Sequence, residues 1–175
     1  MNMTSTPTST LKIIGSTVYV EIFGVKNVPA KIDTGADTSA IWASNIDVDE
    51  NGTLSFSLFN EKSPFYTGKK IETSDYLAKR VRSSHGDVQI RYRVKLPIIV
   101  KGESFTTTFT LANRSRNHFP ILIGRHTLEN RFLVDVSKTD IDRPVGRKSI
   151  RLNKELHDDP HAFHQKYFSK GAIWN

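Results

Sequence analysis

The sequence predicts an all-β protein, a closed and mostly antiparallel barrel with one short helix, followed by an irregular or helical C-terminal extension. Three observations carry this reading. Short runs rich in Val, Ile, Phe and Thr recur between turn-forming residues along most of the chain. Asn51-Gly52 falls between two apolar runs, a strong short-range hairpin signal. Residues 88–96 alternate, with Val88, Ile90, Tyr92, Val94 and Leu96 on one face and Gln89, Arg91, Arg93 and Lys95 on the other.

Residues 1–10 are rich in Ser and Thr, without a basic start or an apolar core. They read as a disordered N-terminus rather than a signal peptide. Residues 11–14 and 17–23 are β-branched runs joined at Gly15-Ser16, which predicts a hairpin. Residues 28–33 form the next strand, with Pro29 marking its start or an edge. Residues 41–48 leave as a strand or an irregular segment, 49–52 turn, and 54–59 return as a strand. A loop over 63–68 leads to two long strands, 71–82 and 88–100, around the turn 83–87. Lys101-Gly102 turns the chain into a strand over 105–111. An apolar strand over 121–123, a helix from 125 to about 130 and a strand over 132–136 complete a domain spanning 11–137. Beyond it the pattern fades, and 138–175 reads as an extension packing on the barrel or on a partner subunit.

A chain of 175 residues suffices for one domain with a real core, burying about 70% of its unfolded surface. No apolar run is long enough to span a bilayer, so no membrane partner is expected. The absence of cysteine excludes disulfides and thiolate zinc sites, and suits the cytoplasm, or the periplasm if a leader has been cleaved. Charge is uneven: net −3 over residues 1–60, +7 over 61–135 and +3 over 136–175.

Two motifs carry the chemistry. In the first, the apolar run Val28, Ala30, Ile32 delivers Asp33 to the turn Thr34-Gly35-Ala36-Asp37. Gly35 lets backbone N–H groups approach the carboxylate, and such bonds hold it ionised. The second, Ile121-Leu122-Ile123-Gly124-Arg125, reads as a buried strand entering a helix.

Together these motifs resemble the retropepsin-like aspartic proteases. Asn113-Arg114 before the second motif and the Phe132–Asp135 run after it resemble, more closely, a bacterial family labelled "ATP-dependent zinc protease" that is grouped with ATP-grasp ligases modifying ribosomal proteins. The resemblance spans roughly residues 11–137 and implies an acid-protease-like barrel and peptide-bond hydrolysis. It implies that Asp33, Thr34 and Gly35 form the catalytic loop, with Thr34 bonding across a dimer axis and Gly35 contacting substrate backbone. Ala36 and Asp37 would line the substrate site. Arg114, Ile123, Gly124 and Arg125 would support it, Arg125 through a partly buried, bidentate ion pair to Asp37. Family members more often carry a basic residue where Asp37 stands. Ser84, His85 and Gly86, at the tip between the two long strands, would form a substrate-covering flap flanked by Arg80, Arg82, Arg91 and Arg93.

One carboxylate with an ordinary pKa is a poor base and no acid at neutral pH, whereas two sharing a proton supply both. The chain has a single Asp-Thr-Gly, so the dyad requires a homodimer. The partner expected is a peptide or protein substrate, an acidic tail being suggested by the basic flanks. A non-catalytic peptide-binding module on the same fold is the alternative. No cofactor is expected: the chain lacks a glycine-rich phosphate loop, and Pro160 separates the histidines of 157–164 from any common helical face. Nucleic acid is not an expected partner, because the basic residues are not interleaved with aromatics in any nucleic-acid motif.

Overall fold

The computed structural model describes residues 11–82, 88–141 and 147–168. The chain divides into two compact units, Met1–Ile141 and Asp142–Asn175. The first contains strands β1 (Lys12–Ile14), β2 (Thr17–Ile22), β3 (Val25–Asp33), β4 (Ser39–Val48), β5 (Leu54–Leu58), β6 (Lys70–Thr73), β7 (Tyr76–Arg82), β8 (Val88–Val100) and β9 (Glu103–Ala112). It then adds β10 (Ile121–Gly124), the one-turn helix α1 (Arg125–Leu128) and β11 (Phe132–Val134). The second unit contains, among its described residues, the helices α2 (Arg147–Asp158) and α3 (Pro160–Phe168). Among the described residues no helix is long and apolar enough to cross a membrane.

Six strands close the barrel in the order β10-β3-β2-β8-β9-β4, and β4 pairs back onto β10. Alternation fills the interior: Val18, Val20 and Ile22 from β2, Val28, Ala30 and Ile32 from β3, and Val94, Leu96, Ile98 and Val100 from β8 are all buried. Phe109, Leu111, Ile121 and Ile123 complete the core on the side that carries both motifs. Each of these side chains larger than alanine contributes roughly 1.5–3 kcal/mol of transfer free energy. β5 and β6 extend the sheet from β4, through a turn in which the Asp49 carboxylate accepts the Asn51 and Thr53 amides and Gly52 takes φ 78°.

β8 outruns the barrel. Its first half pairs only with β7, so Val88 and Ile90, read as one apolar face with Val94 and Leu96, stand 42% and 70% exposed. The tip of this hairpin, with Ser84, His85 and Gly86, lies outside the described residues. The single strand expected over 71–82 is broken at Ser74-Asp75 into β6 and β7, which join different neighbours. Pro29 sits inside β3 rather than at its start; it faces β2 through Tyr19, one residue before β10 begins to pair at Ala30, so its missing N–H falls on a free edge.

The hairpin expected at Gly15-Ser16 does not form. β1 pairs in parallel with β11, while β2 enters the barrel. The segment 135–141 straps across this junction. Asp135 N–H donates to Ile14 O at 2.9 Å, Ser16 N–H to Lys138 O at 2.7 Å, and Ile141 N–H to Thr17 Oγ1 at 3.0 Å. A Cβ on Gly15 would lie 2.5 Å from the Lys138 carbonyl oxygen, so the glycine permits the crossing rather than a tight turn. In the helical unit, Asp159 accepts the Ala162 amide at 2.8 Å and Pro160 opens α3, so the proline starts a helix there.

Candidate active site

Asp33 is the last residue of β3, at the open end of the barrel, where its register partner in β10 is Gly124. The side chain is half-buried and its Oδ1 accepts the Gly35 amide at 3.2 Å. Thr34 and Gly35 are exposed beside it. The chain then turns through Ala36, whose amide donates to Asp33 O at 3.2 Å, and enters β4 at Ser39.

The second motif holds this loop from behind. β10 runs between β3 and β4, in parallel with one and antiparallel to the other. At its end the Arg125 and His126 amides donate to the carbonyls of Ala36 (2.7 Å) and Asp37 (3.1 Å). Gly124 is required by proximity: a Cβ there would lie 2.6 Å from the Thr38 carbonyl carbon and 2.9 Å from Ala36 O, both backbone atoms. Arg125 Nη2 also reaches Asp37 Oδ1 at 2.6 Å, the pair expected from the motifs. It differs in character, being a single contact with both side chains more than half exposed. The helix expected to run from 125 to about 130 ends at Leu128, one turn after Arg125.

A cleft of about 340 Å³ opens next to the loop, lined by residues 35–38 and by Lys79, Arg80, Val81, Arg91 and Arg114. Lys79 and Arg91 face each other across the β7–β8 pair. Like charges placed so cost stability unless something neutral or anionic separates them. Their partners are neutral: Lys79 Nζ donates to Thr38 Oγ1 at 2.9 Å, and Arg91 forks onto Gln89 Oε1 at 3.2 and 2.9 Å. Arg114 Nε donates to Phe119 O at 3.0 Å. Burial pushes the Arg114 guanidinium below the usual arginine range and Arg91 acts in the same sense, while Asp33 opposes both. Arg114 and Asp33 therefore share one electrostatic neighbourhood.

Beneath the loop lies a set of hydroxyls. Gly124 N–H donates to Ser39 Oγ at 3.0 Å, Ser39 Oγ lies 2.7 Å from Thr127 Oγ1, and Thr127 Oγ1 lies 2.8 Å from Thr107 Oγ1. Thr110 Oγ1 adds a bond to Ser39 O at 3.2 Å. Neither these residues nor Lys79 stands out in the sequence. The available signal was a hydroxyl at a core-facing position shortly after each motif, which ordinary strand and helix composition also produces. Among the described residues, no group of three or more His, Asp or Glu is placed to hold a metal.

The chain is similar in sequence and fold to known proteins. Residues 13–145 match the family model described as RimB-like, "Retropepsin-like aspartic endopeptidase RimB". Two curated relatives are each named "Probable alpha-L-glutamate ligase". That of Shewanella halifaxensis is 31% identical over 133 residues, covering 73% of this chain and 29% of its own length. That of Desulfotalea psychrophila is 26% identical over 144 residues, covering 79% and 31%. The chain thus spans less than a third of these relatives. A crystal structure of a Legionella pneumophila protein of unknown function is 25% identical and matches with a TM-score of 0.57, over 73% of this chain and 95% of that one.

Proposed function

We propose, from the premise that this chain belongs to the RimB-like family of retropepsin-like aspartic endopeptidases, that it hydrolyses peptide bonds as a homodimer with one Asp33 from each subunit. The observation that carries the reading is the setting of Asp33. It is half-buried at the barrel mouth with its carboxylate on the Gly35 amide, beside an exposed Thr34-Gly35 surface that a second copy can meet. Two such carboxylates brought together share one proton. The ionised one accepts a proton from water as its oxygen attacks the scissile carbonyl, and the protonated one donates to the carbonyl oxygen. Collapse of the tetrahedral adduct then breaks the C–N bond: the carboxyl that took the water proton gives it to the amine nitrogen, and the other carboxylate takes a proton from the adduct's hydroxyl.

Lys79, Arg80, Arg91 and Arg114 beside the loop favour an acidic peptide segment, an internal run of glutamates being the simplest. That choice also agrees with the glutamate ligase names of the longer relatives. A second reading, capture of such a segment without cleavage, rests on the same cations, which bind carboxylates whether or not Asp33 cuts.

The test pairs sedimentation equilibrium with hydrolysis of a quenched fluorescent peptide containing six consecutive glutamates, using wild type and Asp33→Asn, with pepstatin as probe. The expected result is a dimer in both proteins, pepstatin-sensitive cleavage by wild type, and a loss of at least about 100-fold in the variant. A strict monomer across pH, or cleavage by Asp33→Asn at the wild-type rate, would remove the dyad. Tight peptide binding by a wild type that cleaves nothing would select the capture reading.

A further inference from the structure

Gly124, the register partner of Asp33, has its amide buried against Ser39 Oγ, and Ser39 is 1% exposed. An oxygen that accepts this N–H still carries one hydrogen, which needs an acceptor in a dry place. Thr127 Oγ1, on a residue also 1% exposed, lies 2.7 Å away. Thr127 in turn lies 2.8 Å from Thr107, which is only half-buried. One direction satisfies every hydroxyl: Ser39 donates to Thr127, Thr127 donates to Thr107, and Thr107 gives its hydrogen to solvent. Reversed, Ser39 would accept from both Gly124 and Thr127 and its own hydrogen would be stranded.

We infer that Ser39, Thr127 and Thr107 form a directed hydroxyl chain that pins Gly124, and that Thr127 is thereby a positioning residue for Asp33. The chain joins β4, α1 and β9 at the point where β10 meets the catalytic loop. Gly124 touches the backbone of Ala36 and Thr38 with no room to spare, so displacement of its amide passes to the loop and to the Asp33 carboxylate. Thr127 is buried and is not among the residues lining the cleft, and its hydroxyl meets Ser39, so it acts through Gly124 and not on a substrate. This inference rests on the proposed peptidase reading only for its kinetic consequence.

The experiment compares Thr127→Val, which keeps the shape and removes the hydroxyl, with Thr127→Ser, which keeps the hydroxyl. Two readouts are taken: exchange of the Gly124 amide by NMR, and kcat and KM on the six-glutamate peptide. Thr127→Val is expected to speed Gly124 exchange about tenfold or more. It should lower kcat about tenfold with KM within twofold, because a small displacement of a catalytic group costs rate more than binding. Thr127→Ser is expected to restore both. Should Thr127→Val fail to fold, Thr107→Val at the half-exposed end reads the same chain, with the same exchange expected. Unchanged Gly124 exchange in a folded valine variant would overturn the inference, as would a serine variant no better than valine. If wild type cleaves nothing, the proposed function fails, while the exchange comparison still decides the chain.

Discussion

Gly124 shows how little freedom single residues have around Asp33. Its φ of −85° is open to any amino acid, so the requirement is one of space and not of backbone conformation. Gly124→Ala pushes a methyl into the backbone of the loop that follows Asp33 and is expected to cost roughly 1–3 kcal/mol. It should abolish any peptidase activity as Asp33 is displaced. Urea unfolding checks the first part, and an unchanged midpoint would show that the loop yields freely. Arg125 presents the opposite case. Its side-chain contact to Asp37 is short but exposed to water on both sides, and such pairs contribute ~0–1 kcal/mol. Its backbone amide, bonded to Ala36 O, survives any substitution but proline. Arg125→Gln is therefore expected to shift stability by less than about 1 kcal/mol. A loss beyond about 2 kcal/mol would assign the guanidinium a larger part in holding the loop.

Among the elements, β10 and the strap 135–141 do the most to place the site. β10 lies between the strand that brings Asp33 in and the strand that takes the chain away, so both ends of the loop share one support. The strap locks β1 and β2, and Ser16 O accepts the Ile32 amide at 3.0 Å, one residue before Asp33. Asp135 begins the strap. Its carboxylate accepts the Ser137 hydroxyl at 2.6 Å and the Ser137 amide at 3.0 Å, and it pairs with Lys138 at 3.2 Å. The Ser137 hydroxyl first, then Lys138 and the Ser137 amide, hold its pKa below the ordinary 3.8. The unfolded chain therefore binds that proton more readily in acid. The stability involved is complete above 3.8 and is lost as pH falls through the lower folded value. Asp135→Asn is expected to be less stable than wild type near neutrality, with the gap closing below about pH 4. Parallel stability curves from pH 2 to 7 would show that Asp135 adds nothing.

For the whole molecule, the barrel unit ends at Ile141, four residues after the sequence pattern fades. A chain ending at Ile141 is expected to unfold cooperatively near the melting temperature of the whole. One ending at Val134 loses the strap and its backbone bonds, at about 1 kcal/mol each, and should melt roughly 5–10 °C lower. Equal melting of the two truncated chains, by calorimetry, would show the strap to be ornamental. At this scale much of the protein was legible in advance. The all-β class, the Asn51-Gly52 turn, the short helix after Gly124 and the convergence of the two motifs all appear in the structure. Each is encoded by residues near one another in the chain: alternation, a glycine that allows positive φ, an apolar run ending in Gly-Arg.

What the sequence by itself determined was therefore the kind of elements, the family they belong to and the two motifs that meet around Asp33 and Gly124. The tertiary structure decided which elements meet. Gly15-Ser16 looks like a hairpin turn because local pattern carries no record of residue 138, whose carbonyl occupies the space beside Gly15. The Asp37–Arg125 contact was legible as a pair, but its exposure and its single contact are set by the surrounding packing. Ser39, Thr107 and Thr127 are unremarkable in sequence because a hydroxyl's role depends on which acceptor faces it once water is excluded. Long-range packing alone sets that.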